Sequence, residues 1–280
     1  MRDRDCVDFL QANLPRLGLR WAGYRKVRGT VCKRLGRRLR ELGLGDLDAY
    51  AAYLRATPAE WAHFETLCRI PISRFYRDRL VFETLRHRVL PELARDGMES
   101  GRADVRCWSA GCASGEEPYS LSILWREAIE PQFPGVSLDL LATDVEPAML
   151  ARASRACYSR GSLKDLPPPW RERAFIEDDA NYCLRDTYKR GIRFALQDIR
   201  KATPSACFDL ILCRNQGFTY FDDAGRQELL ARLSNRLRRG GYLVIGGHER
   251  LPPGAGSLHL LDPNQPIFLK SAIDPTVCAP

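Results

Sequence analysis

The chain has 280 residues, 45% of them hydrophobic and 28% charged, which is ordinary for a globular protein with room for one large domain or two modest ones. Its apolar runs, such as LILC and YLVI, are far too short to span a bilayer, so membrane insertion is not expected. The net charge of +8 admits an anionic partner without naming one.

The first residues, MRDRDCVDFL, mix acids with bases and contain no apolar core, so a secretory signal is not expected and the cytoplasm is. Ten cysteines are scattered along the chain with no CxxC pair. Several lie in apolar strand-like runs, and the reading preferred from sequence is buried free thiols. No zinc site or other metal site is readable.

Residues 20–40 carry nine Lys or Arg and no acid. Val27, Val31, Leu35, Leu39 and Leu42 recur at spacings of four and three, the stripe of an amphipathic helix. Lys33, Arg34, Arg37, Arg38 and Arg40 fill its other faces, and Gly43 and Gly45 supply a stop. DLDAYAAYLRATPAEWAHFETLC reads as two short helices broken at Thr57-Pro58. Residues 1–90 are therefore expected to form an all-helical basic domain.

After Pro91 the pattern changes. ADVRCWSA is a strand, CASGEEPYS a loop opening a helix, and VSLDLLATD a second strand, apolar enough to be a buried parallel one. EPAMLARASRACY is a helix, FDLILCRN a third strand, DDAGRQELLARLSNRLRRG a helix and GGYLVIGGHE a fourth strand. This alternation predicts a parallel sheet with right-handed crossovers. SLHLLDP and PIFLKS are placed as an antiparallel edge hairpin. Between residues 159 and 199 the alternation breaks, and NYCLRDTYKRGIRFALQDI reads as strand, turn, strand, a small β insertion. Residues 91–280 are thus expected to be one α/β domain.

In such sheets the ligand sits beyond the carboxyl ends of the strands. Three segments fall there: the Gly111–Glu117 loop, Asp144 after the second strand, and Arg214-Asn215 after the third. Asp144 is placed to accept hydrogen bonds from a ribose diol. The loop is neither GxxxxGK[ST] nor GxGxxG, and Glu116 and Glu117 stand at the helix start. Carboxylates suit the helix dipole there but would repel a pyrophosphate. A nucleoside without phosphate, carrying a positive charge, fits, and S-adenosylmethionine is such a ligand.

SAGCASGEEPYS, LATDV, FDLILCRN followed by FTYF, ISRFYRD at 72–78 and GGHE near 248 resemble the bacterial chemoreceptor glutamate methyltransferases, the CheR family, over nearly the whole chain. The resemblance implies a Rossmann-like sheet that binds S-adenosylmethionine and methylates receptor glutamates. It implies cofactor contacts from Ser73, Arg77, Glu117, Asp144, Arg214, Asn215 and Tyr220, with Gly111 in the loop. Asp198 and Ile199 stand where the family usually has Asn-Leu. Pro71 replaces a usual asparagine, and QGFTYF is one residue longer than the usual stretch.

Arg77 would pair with the acceptor carboxylate or the cofactor's own carboxylate, or else form a surface ion pair. Tyr220 would orient the acceptor or lie near the sulfonium, or else be a core aromatic. Glu117 and Asn215 have plain readings as a helix-start acid and a strand-end cap, and His248 as a satisfied structural histidine. A glutamate is already ionised at neutral pH, with a reference pKa of about 4.3. Methyl transfer to it needs no general base, and alignment supplies the rate. Lys33, Arg34, Arg37 and Arg38 would face an acidic helical substrate, a chemoreceptor cytoplasmic domain, against the plain reading of a solvated face. Competing readings are a different acidic acceptor, a nucleic-acid methyltransferase gripping phosphate through the basic helix, and an inactive cofactor-binding module. Nucleic acid is disfavoured because no exposed aromatic array offers base stacking.

Overall fold

A computed structural model describes residues 3–179 and 181–271. It divides into two compact units, Met1–Pro71 with Thr219–Arg226, and Ile72–Phe218 with Gln227–Pro280.

The first unit is helical: α1 (Asp3–Asn13), α2 (Trp21–Tyr24), α3 (Arg28–Leu42), α4 (Leu47–Ala56) and α5 (Glu60–Cys68). Helix α3 buries Val31, Leu35 and Leu39 of the stripe read from its spacing, together with Cys32, while Val27 and Leu42 are half-buried; it stops at Gly43, whose φ of 68° suits a residue without a Cβ. Asp46 opens α4 by accepting the Ala49 N–H at 2.8 Å. Inside the unit the Glu60 carboxylate, 5% exposed, takes two hydrogen bonds from Arg38 at 2.9 and 2.8 Å and one from the Tyr50 hydroxyl at 2.8 Å. Thr219–Arg226 joins this unit. The Arg20 N–H donates to the Tyr220 carbonyl at 2.9 Å, and Leu19 makes a bridge with Phe221.

The second unit begins with α6 (Arg79–Thr84) and α7 (Leu90–Glu99), joined through a π turn at Leu85–Val89. A boundary at 90, as expected from sequence, leaves α6 in the first domain and nearly all of α7 in the second. Their apolar face, including Phe82, Leu85, Val89 and Leu93, packs into the core of the sheet unit, so the boundary falls at 71.

The remaining elements are β1 (Asp104–Ala110), α8 (Glu116–Leu124), β2 (Ser137–Asp144), α9 (Pro147–Arg155), β3 (Cys157–Ser159), α10 (Pro168–Ala174), β4 (Phe175–Asp178), β5 (Asn181–Leu184), β6 (Ile192–Leu196), β7 (Phe208–Cys213), α11 (Gly217–Tyr220), α12 (Asp223–Arg236), β8 (Leu237–Ile245), β9 (Leu258–Asp262) and β10 (Gln265–Lys270). Seven strands form one sheet in the order β6-β2-β1-β7-β8-β10-β9. The first five are parallel, and β10 and β9 add an antiparallel edge, as expected for the two tail runs.

Two expectations are corrected. Residues 192–196 do not hairpin onto 181–184: they form β6 and pair in parallel with β2, while β3, β5 and β4 make a separate three-stranded sheet. The helix before β8 ends at Arg236, and LRRG, read as helix, starts the strand.

The cysteines are corrected too. Cys6 pairs with Cys32 and Cys157 with Cys183, and Cys207 is disulfide-bonded, whereas Cys68, Cys107, Cys112 and Cys213 are free and buried. Each of the two pairs is 26 residues apart in sequence, joined by helix packing in one case and by the register of β3 against β5 in the other, and neither is legible as a motif. Among the described residues no helix is long and apolar enough to cross a membrane, and no group of three or more His, Cys, Asp or Glu is placed to hold a metal ion.

Candidate cofactor site

The strand order reverses direction at β1, which has β2 on one side and β7 on the other. This is the switch point at which doubly wound sheets open a crevice. The glycine loop leaves the carboxyl end of β1 there. The Gly111 and Cys112 N–H groups both donate to the Thr143 carbonyl, at 2.7 and 3.0 Å, laying the loop against the end of β2. Gly111 has φ 78° and Gly115 φ 92°. A Cβ on Gly115 would meet Ala153 at 2.9 Å, so only glycine fits between the loop and α9.

Strain gathers here. Tyr76, Asp78, Ala113 and Asn215 all hold a positive φ, between 47° and 63°. Each costs on the order of 1–3 kcal/mol and persists only where the surroundings over-determine it. Tyr76 and Asp78 flank Arg77 on the 72–78 segment. That segment is pinned by Phe75 N–H to the Ser162 carbonyl at 3.0 Å and by Tyr76 N–H to Ser120 Oγ at 2.8 Å.

Asp144 ends β2. Its Oδ2 accepts the Ala113 N–H at 2.8 Å and its Oδ1 the Glu146 N–H at 2.9 Å. A carboxylate offers about four acceptor positions, so two remain for a diol. Burial raises its pKa above the ordinary 3.8, against backbone N–H groups that lower it. Beside it, the Gln197 N–H donates to the Asp144 carbonyl at 2.9 Å, which brings Asp198 and Ile199 to the same strand end. Burial works to raise the Asp198 pKa, but hydrogen bonds and charge from Arg200 prevail and lower it; Ile199 is buried.

Arg214 is a hub rather than an open cofactor ligand. Its side chain is 2% exposed and pairs with Glu117 at 3.1 Å and Asp78 at 2.6 Å. It also donates to the Arg77 carbonyl at 2.8 Å and lies over the Phe82 ring. Glu117 in turn accepts from Ser109 Oγ at 2.7 Å. Glu116 is buried and accepts from Ser114 Oγ at 2.9 and 3.0 Å. Both acids read from the loop are therefore engaged by the protein, and Glu117 is neutralised.

Arg77 is half-buried and donates from Nη1 to the Ile72 carbonyl at 2.9 Å, leaving other guanidinium donors. Ser73 is half-buried on the same segment. The Asn215 N–H donates to Glu249 Oε2 at 2.9 Å, which also accepts the Gly246 N–H at 2.6 Å. Glu249 is buried and no sequence pattern marks it, because its partner Asn215 is 34 residues away; His248 beside it is exposed. Gln216 opens the longer QGFTYF stretch, and its carboxamide lies on Gly111.

The helical unit holds the other residues named from sequence. Tyr220 packs against Tyr24 with the rings tilted at 52° and centroids 4.9 Å apart, and it lies on the helical core. Arg38 is engaged by Glu60. Arg34 donates to the Leu67 carbonyl at 3.0 Å and to that of Arg69, closing the end of α5. Lys33 is exposed, and Arg37, also exposed, faces Glu41 at 3.6 Å.

Residues 72–262 match the model of the CheR methyltransferase, SAM binding domain, and residues 25–66 that of the CheR methyltransferase, all-alpha domain. The chain belongs to the CheR methyltransferase family. It is 38% identical over 188 residues, 67% of this chain and 68% of the relative, to a chemotaxis protein methyltransferase of Listeria innocua. It is 32% identical over 228 residues, 79% of this chain and 84% of the relative, to a probable chemotaxis protein methyltransferase of Rhizobium etli. Among solved structures, the N-methyltransferase NodS of Bradyrhizobium japonicum with S-adenosyl-L-homocysteine covers 59% of this chain and 61% of its own, at 22% identity and a TM-score of 0.33.

As a CheR-family member the chain is an S-adenosylmethionine-dependent methyltransferase. The residues present fit that cofactor. Gly111 opens the loop, Asp144 keeps acceptor positions, and Arg214, the arginine that reaches Glu117, is already balanced by two carboxylates. Such a loop suits a sulfonium better than a phosphate.

Proposed function

We propose that the chain methylates glutamate side chains on an acidic helical protein, the cytoplasmic domain of a chemoreceptor. Relatives named chemotaxis protein methyltransferase support the acceptor class. The observation that carries the reading is the lack of proton-transfer chemistry around the glycine loop, among the described residues. The carboxylates there are hydrogen-bonded, and burial pushes the Cys112 and Cys213 thiols well up, so neither is a nucleophile. When bound, the cofactor supplies an electrophilic sulfonium methyl, which a carboxylate oxygen accepts without moving a proton. Asp144 holds the ribose, and the glycine loop admits the ligand close to the backbone. Arg77 offers its free guanidinium donors to the acceptor carboxylate, and Lys33 and Arg37 steer the acidic helix.

Incubation of the purified chain with methyl-labelled S-adenosylmethionine and a receptor cytoplasmic fragment should give protein-bound label that mild alkali releases as methanol. Label that resists alkali would contradict a glutamyl ester.

A further inference from the structure

Gln216 follows Asn215, whose φ of 58° turns the chain sharply after β7. Its half-buried side chain folds back over the glycine loop. A Cβ built on Gly111 would fall 2.0 Å from Gln216 Oε1, 2.1 Å from Cδ and 2.2 Å from Nε2, so the whole carboxamide rests on the Gly111 α-carbon. Nε2 donates to the carbonyl of Ala110, the last residue of β1, and lies 3.6 Å from Cys213 Sγ.

A glycine at the end of the first strand of a doubly wound sheet lets a ligand approach the backbone closely. Here the space that the missing Cβ leaves over Gly111 is the space Gln216 fills. The acceptor beside it, the Ala110 carbonyl, suits a charged ammonium better than a neutral amide, because charge-assisted hydrogen bonds are the stronger. The cofactor carries such an ammonium on its amino-acid end.

We propose that Gln216 sets cofactor affinity by standing in for that end: its Nε2 occupies the Ala110 carbonyl until the cofactor's α-amino group displaces it. The inference rests on the cofactor lying over the Gly111 loop. It makes Gln216 a competitor of S-adenosylmethionine and of its demethylated product alike, because both carry the same amino group.

Calorimetry on Gln216→Ala and Gln216→Met tests this with three probes: S-adenosylmethionine, S-adenosylhomocysteine and 5′-methylthioadenosine, which has the nucleoside and sulfur but no amino-acid end. Removing one competing neutral hydrogen bond should tighten the first two about three- to tenfold in Gln216→Ala and leave methylthioadenosine unchanged. Gln216→Met, which still fills space but cannot donate, should show a smaller gain. Unchanged or weaker S-adenosylhomocysteine binding in both variants overturns the proposal. So does equal tightening of methylthioadenosine, which would mean the whole loop had changed. Asp144→Ala separates the two layers. If it weakens all three probes while the Gln216 variants change nothing, Gln216 alone is misassigned. If it too changes nothing, the loop is not where the cofactor binds.

Discussion

At the scale of single residues, the site depends on two carboxylate arrangements. With Asp144 in its proposed role as the ribose acceptor, Asp144→Ala should weaken S-adenosylhomocysteine binding about ten- to a hundredfold, the loss of a charged acceptor worth about 1.5–3 kcal/mol. Titration calorimetry of the folded variant checks it. Because burial raises the Asp144 pKa, the carboxylate loses its charge on acidification at a midpoint above 3.8, and affinity should fall there. In the apo protein the raised pKa means that the charged form costs stability at neutral pH and that acid relieves the cost. Asp144→Asn should therefore flatten the binding profile, and it should lower stability by about 1–3 kcal/mol, because its amide nitrogen cannot accept the backbone N–H that one of the two carboxylate oxygens now takes from Ala113 or Glu146. Arg214 behaves oppositely. Its removal leaves Glu117 and Asp78 unpaired and should cost about 3–5 kcal/mol in denaturant unfolding. Arg214→Lys should rescue little, since one ammonium cannot match the several directed hydrogen bonds of the guanidinium. The place of Asp144 at the end of β2 was legible because the apolar run of the strand stops there. The roles of Arg214, Gln216 and Glu249 were not, because their partners lie about 30 to 140 residues away and only the folded sheet brings them together.

At the scale of elements, periodicity carried most of the reading. The stripe of α3 and the apolar runs of β1, β2 and β7 are set by burial, and burial patterns show in sequence. Strand β6 shows where this stops. IRFAL has the same alternation whether it hairpins onto its neighbour or pairs with β2, and only the partner decides. The basic face of α3 divides in the same way. Arg34 and Arg38 are drawn into the helical unit by carbonyls and by Glu60, and a count of charges could not separate them from Lys33 and Arg37. Lys33→Ala and Arg37→Ala should therefore reduce capture of an acidic acceptor, with the deficit vanishing at high salt and the unfolding midpoint unchanged. Salt-dependent methylation rates measure this. An equal loss of stability would mean that these two cations, like Arg38, hold the helices together.

At the scale of the whole molecule, the division into a helical unit and a sheet unit matches the two family regions, 25–66 and 72–262. Two crosslinks each lie within one unit: Cys6–Cys32 in the first and Cys157–Cys183 in the second. Closing a loop of 26 residues contributes about 3.5 kcal/mol on the chain-entropy scale. Loss of Cys6–Cys32 should lower the stability of the helical unit by that order, read without reductant as a fall in unfolding midpoint of a Cys6→Ala, Cys32→Ala variant against the parent chain. The central claim concerns chemistry rather than stability, and it is tested most directly by locating the methyl group. After incubation with labelled S-adenosylmethionine and a receptor cytoplasmic fragment, peptide mass spectrometry should place the methyl on glutamate side chains, and mild alkali should remove it. A methyl found on nitrogen, on nucleic acid, or on any protein site stable to alkali would contradict the account.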